Sequence, residues 1–176
     1  CMFLYFAKMG ERRFRDAGLV AAQHWKDVDI CHYSKDPLKM GGQVIHTTGH
    51  VTGGVTPSHE WTEGLLDFYH LTGKREAYDK AIGIADNVLR QLASPKFSKL
   101  GGSQARETGW AMRGLIAVYN ETKDEKYLDA CKLIAEQFLA WRAEYGSFLA
   151  PYTSHTQVRV PFMIAIAVNA LYRYYE

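Results

Sequence analysis

The chain has 176 residues, 47% of them hydrophobic and 23% charged, a balance that fits one globular unit with a real core and excludes disordered, collagenous and disulfide-scaffold classes. The 21 Lys and Arg nearly cancel the 19 Asp and Glu, for a formal net charge of +2, so nothing electrostatic points to nucleic acid. No apolar run approaches the roughly 20 residues a membrane-spanning helix needs, and the nearest, 160–172, is broken by Pro161 and Asn169.

The three cysteines, Cys1, Cys31 and Cys131, are odd in number and form no C-x-x-C pair, which argues against a disulfide framework and a four-thiolate zinc site. With no leader-like segment at the start of the chain, this favours a reducing, cytoplasmic setting. The chain opens Cys1-Met2-Phe3, without an initiator methionine, and reads as a piece of a longer protein.

Hydrophobic periodicity predicts seven helices, over about 2–9, 11–27, 58–72, 74–93, 105–121, 124–142 and 158–175. Three gap-free segments, 6–16, 69–79 and 119–129, align with one another: an aromatic residue (Phe6, Tyr69, Tyr119) stands four positions before a tight turn at Gly10, Gly73 and Lys123. An Asp follows at Asp16, Asp79 and Asp129, and an Ala at Ala22, Ala85 and Ala135. Each segment is a helix end, a turn and a new helix, so the chain is an array of helical hairpins. The second helix of each later pair is amphipathic. Ala81, Ile84, Ala85, Val88, Leu89 and Leu92 share one face, as do Tyr127, Ala130, Cys131, Ile134, Phe138 and Trp141. The less polar first helices form the inner layer of the array, and Gly64, Gly114 and Ala167 coincide in the repeat register where those helices should approach closely.

The predicted fold is therefore all-α: a single α/α-hairpin unit over residues 1–176, three hairpins plus one helix. Turns within hairpins are short, whereas the returns 28–57, 94–104 and 143–157 are long. Loops of that length in compact domains are usually functional, and the alternation gathers them at one end of the array.

The segments P-S-H-E-W-T-E-G-L-L-D-F-Y-H-L-T-G-K, 57–74, and A-R-E-T-G-W-A-M-R-G-L-I-A-V-Y, 105–119, resemble the α/α-toroid (six-hairpin) carbohydrate-active enzymes, and in particular the toroid of exo-acting rhamnogalacturonan lyase-like proteins. The resemblance implies a glycan site at the N-terminal ends of the inner helices. It also implies that three and a half hairpins make a partial (α/α)6 toroid, completed by further sequence or by a second copy of the chain in a homodimer.

Four of the seven histidines, His32, His46, His50 and His59, fall within 28 residues, between Asp29 and Tyr33 on one side and Glu60 and Glu63 on the other. Glu107 opens the fifth helix. Asp29, His32, Tyr33, His59, Glu60, Glu63 and Glu107 are the candidate catalytic groups, because hydrolysis needs two carboxylates and elimination needs a base beside a cation. Within one helix starting at Ser58 as N-cap, His59 and Glu63 would share a face. Arg106, Trp110 and Arg113 form a stripe suited to a sugar ring bearing a carboxylate. With His46, His50, His155 and Arg159 they make the candidate substrate-binding set. The expected partner is a glycan, probed first as a uronic-acid-containing polysaccharide cut by lyase or hydrolase chemistry. The alternative is a non-catalytic helical-repeat module binding a glycan or protein. No cofactor is expected, though His46, His50 and His59 could together hold a divalent metal. No dinucleotide fingerprint, phosphate loop or G-x-S-x-G elbow is present.

Overall fold

A computed structural model of the chain describes residues 2–44, 53–97, 105–146 and 161–176. Among them are seven α-helices: α1 (Met2–Met9), α2 (Arg12–His24), α3 (Glu63–Thr72), α4 (Arg75–Leu92), α5 (Ala105–Thr122), α6 (Glu125–Tyr145) and α7 (Pro161–Tyr175). A π-helical turn, Trp25–Asp29, extends α2, and 3-10 turns lie at Pro57–His59 and Pro95–Phe97. The all-α hairpin array is as the periodicity predicts. α1 packs on α2, α3 on α4 and α5 on α6, while α5 and α7 make the most extensive pairing between inner helices.

The repeated turn is the same object three times. Gly10, Gly73 and Lys123 all adopt left-handed φ, at 70°, 71° and 55°. Their backbone N–H groups each donate to the carbonyl of the aromatic residue four positions earlier: Phe6 at 2.8 Å, Tyr69 at 2.7 Å and Tyr119 at 2.7 Å. The left-handed residue ends one helix by satisfying a carbonyl that has no partner within it. The preceding threonines repeat as well: Thr72 Oγ1 donates to the Phe68 carbonyl at 2.6 Å and Thr122 Oγ1 to the Val118 carbonyl at 2.9 Å.

The core lies between the two layers. From the outer helices it takes Ala81, Ile84, Ala85 and Val88, then Tyr127, Cys131, Ile134 and Phe138; from α5 and α7 it takes Ala111, Met112, Leu115, Met163 and Ala167. Cys131 is core, its thiol pushed up to about 12 by burial alone.

The small residues act differently from the expectation of helix-to-helix contact at Gly64 and Gly114. A Cβ on Gly64 would sit 2.8 Å from the Trp25 ring, and one on Gly114 3.2 Å from the Glu60 carbonyl oxygen. The close approach of α5 to α7 falls instead at Gly109, where a Cβ would meet Ile166 Cγ2 at 2.6 Å. Two further boundaries are corrected. The second helix passes into a π-helical turn at Trp25, and the third begins at Glu63, not at Ser58. Ser58 is therefore no N-cap, Glu60 is outside the first turn, and His59 and Glu63 do not share a helical face.

Lys123 adopts a conformation that costs a side-chain-bearing residue about 1–2 kcal/mol. Lys123→Gly should therefore raise stability by up to about 1 kcal/mol, and Gly73→Ala should lower it by about the same amount. Gly109→Ala should cost about 1–3 kcal/mol by overpacking against α7. Urea unfolding followed by circular dichroism checks all three.

Candidate functional site

The site is built from contacts between residues about one repeat apart. Glu107, in the first turn of α5, is 6% exposed, and its carboxylate accepts three hydrogen bonds from the turn before α3. Thr56 Oγ1 donates to Oε2 through a short contact, the Ser58 backbone N–H to Oε2 at 3.0 Å, and Ser58 Oγ to Oε1 at 3.2 Å. Because the Ser58 hydroxyl proton is spent on Glu107, the 3.0 Å contact between Ser58 Oγ and His59 Nδ1 makes Nδ1 the donor. Glu107 thus orients His59 through Ser58. One turn later Thr62 Oγ1 donates to the Gly114 carbonyl at 2.9 Å, which joins the same turn to the middle of α5.

Beyond this anchor the inner face opens as a cleft of about 570 Å³, lined among others by Trp25, Trp61, Glu63, Asp67, Trp110 and Arg113. Arg113 donates to Glu63 Oε1 from Nε at 3.3 Å and from Nη2 at 3.0 Å. Its guanidinium lies 4.7 Å from the Trp110 ring centre. Trp110 in turn meets Trp61 edge to face, ring centres 5.8 Å apart, and Trp61 lies 6.0 Å from His59. At the far, exposed end of the same wall, His70 Nε2 and Glu121 Oε1 are 2.8 Å apart. Burial raises the Asp67 carboxyl above its ordinary value, and the nearby Glu63 adds to the shift while His70 opposes it.

The predicted residues divide accordingly. Glu63, Trp110 and Arg113 line the cleft, His59 stands beside it against Trp61, and Arg106 lies 4.0 Å from Glu107 at the start of α5. Glu60 is fully buried on the other side of the turn, toward Gly42 and Asn87. Asp29, His32 and Tyr33 do not join the cleft. Asp29 lies 3.8 Å from His24, His32 contacts Lys80 of α4 at 3.0 Å, and Tyr33 is 79% exposed. The expected histidine cluster is thus parted between His32 and His59, because the return segment crosses over α4 before reaching α3. His46, His50, His155 and Arg159 lie outside the described residues. Among the described residues no group of three His, Cys, Asp or Glu side chains is placed to hold a metal ion.

Sequence reasoning missed Trp61, Trp25, Asp67 and His70. The signal was available in the repeat: Glu63 and Arg113 are 50 residues apart and His70 and Glu121 51 apart, close to the offset of the second and third turns. Equivalent positions on adjacent inner helices face each other.

An inner layer of helices lining an aromatic and charged cleft is that of a toroid carbohydrate-active enzyme. Residues 43–175 match the family described as beta-L-arabinofuranosidase, GH127 catalytic domain, and the chain belongs to that family of glycoside hydrolases. The toroid resemblance therefore holds, but the match falls on a hydrolase family and not on the rhamnogalacturonan lyase-like proteins. No curated protein and no solved structure matches the chain.

Glu107→Ala would leave the Thr56 and Ser58 donors buried without an acceptor, at about 1–3 kcal/mol for each group stranded. It should be among the most destabilising single changes at the site. Trp110→Ala, on the cleft surface, should unfold at nearly the wild-type temperature, and scanning calorimetry of the two variants compares them directly.

Proposed function

We propose that this chain hydrolyses a glycosidic bond with the sugar seated on the Trp61–Trp110 pair, and that a β-L-arabinofuranoside, the substrate in the family's name, is the first to test. The observation that carries the reading is this aromatic corner at the start of the inner helices, flanked by His59 on one side and by Arg113 and Glu63 on the other. Indole faces pack against sugar C–H groups, while charged neighbours fix the hydroxyls.

Hydrolysis also requires a proton for the leaving oxygen. Of the carboxylates on the cleft wall, Glu63 is engaged by Arg113 and Glu121 by His70. Asp67, which burial shifts toward its protonated form, is the group best suited to donate. Asp67→Asn should lower kcat by about 10²–10⁴ on a substrate with a poor leaving group and by much less on an aryl glycoside whose leaving group needs no proton. Equal losses on both substrates would remove Asp67 from that role. Trp110→Ala should act mainly on KM. Failure of the wild-type chain to release arabinose from either substrate would overturn the reading.

A uronic-acid glycan cut by elimination is the second reading. It rests on Arg106, whose buried Nε makes no hydrogen bond among the described residues, since Arg113 is already taken by Glu63. Elimination would appear as an unsaturated, ultraviolet-absorbing product.

The exposed stripe of Phe162, Ala165, Val168, Tyr172 and Tyr175 on α7 supports a further part of this proposal, that a second copy of the chain packs there and closes the ring. Light scattering at micromolar concentration should then give twice the chain mass of 20.0 kDa, and Tyr172→Glu should return it to the single-chain value.

A further inference from the structure

Glu60 presents a chemical problem that the cleft does not solve. It is fully buried, and among the described residues its carboxylate has one neighbouring donor, the Gln43 backbone N–H, which approaches without closing a well-formed hydrogen bond, while Asn87 Oδ1 nearby is a buried oxygen with no donor. Glu60 Oε1 and the Asn87 amide carbon both border Gly42. A Cβ on that residue would lie 2.7 Å from Glu60 Oε1, 2.9 Å from Asn87 Cγ and 2.3 Å from a Val55 methyl. The Asn87 amide is fixed in orientation, because its Nδ2 donates to the carbonyls of Leu38 at 3.1 Å and Met40 at 3.0 Å.

The other donors on that face of α4 are spent on the same segment. Arg90 donates to Pro37 and Met40 carbonyls at 3.1 and 2.7 Å, and Gln91 to Leu38 and Val55 carbonyls at 2.6 and 3.3 Å. A buried carboxylate with at most one donor, beside a buried amide oxygen with none, is unstable unless it keeps its proton. The space a Cβ could not enter leaves no place for a hydrated cation, and the Arg90 charge beside it disfavours one.

We propose that Glu60 is carried in the folded protein as a neutral carboxylic acid whose O–H donates to Asn87 Oδ1, a positioning bond that fastens the 57–62 turn to α4 and so holds Ser58 and His59 in place. Two charged groups from neighbouring elements act on it, Arg90 of α4 and Glu107 of α5. Burial raises the Glu60 carboxyl well above its ordinary range, the Gln43 backbone and Arg90 pull the other way, and Glu107 adds to the rise.

The sign of the pH dependence follows. The unfolded chain releases this proton near 4.5, whereas the folded chain keeps it. As pH rises above that value, folding is disfavoured by up to about tenfold in its equilibrium constant per pH unit, until the folded group also ionises.

The experiment compares the wild-type chain with Glu60→Gln and Glu60→Ala. Infrared difference spectra of wild type against Glu60→Gln at pH 7 should show the carbonyl stretch of one protonated carboxylic acid. The fall in stability with pH should be present in wild type and reduced by one proton in Glu60→Gln. The glutamine amide supplies the same donor without titrating, so it should retain wild-type stability near pH 5 and exceed it near pH 8, whereas alanine should lose stability at both. Absence of the infrared band at pH 7, or a glutamine variant as unstable as alanine, would overturn the proposal. Neither result would bear on the glycosidase reading, which is tested by product release.

Discussion

The carboxylate of Glu107, sunk at the start of α5, accepts hydrogen bonds from a turn 49 to 51 residues earlier in the chain, and the geometry of the site depends on that attachment. A buried carboxylate with three donors is costly to disturb from either side. Removing it strands the donors, and moving the turn strands the charge. The turn is thereby fixed against α5, and what it carries is fixed with it: His59 through Ser58, Trp61 against Trp110, and Glu63 opposite Arg113.

The opposite face of the same turn meets a different environment. There Asn87, Arg90 and Gln91 grip the carbonyls of the 37–41 segment, and Glu60 is pressed against Gly42 with only the Gln43 backbone N–H beside it as a donor. One short stretch therefore holds two buried glutamate contacts of opposite character. Glu107 accepts from three donors, whereas Glu60 has little to accept from. The glycine at 42 is what lets the segment come this near, since any side chain there would displace Glu60 or Asn87.

Lateral pairing at one repeat explains why a hairpin array makes a good sugar site. Each inner helix presents equivalent positions to the next, so Glu63 meets Arg113 and His70 meets Glu121 without any long-range coincidence in folding. Ion pairs of this kind on a half-exposed wall contribute little stability. Their effect is on the shape and charge of the cleft, where they hold the side chains beside the indoles.

Much of this was legible in the residues alone. The tight turns at Gly10, Gly73 and Lys123, the aromatic residue four positions before each and the apolar stripes of α4 and α6 follow from local rules, because turn chemistry and helical period act within a few residues of chain. The α/α-hairpin architecture follows from those repeats, and the resemblance of 57–74 and 105–119 to the toroid enzymes adds the expectation that Glu63, Trp110, Arg113 and His59 lie near one end of the inner layer. Local rules misplaced the start of α3, because Ser58 is as good a partner for a distant carboxylate as it is an N-cap, and only packing selects between them. For the same reason Glu60 reads as a first-turn acid in sequence and is a buried group poor in donors in the fold. Which carboxylate receives hydrogen bonds and which must keep its proton is decided by what α4 and α5 bring to either side of one turn, and that juxtaposition exists only in three dimensions.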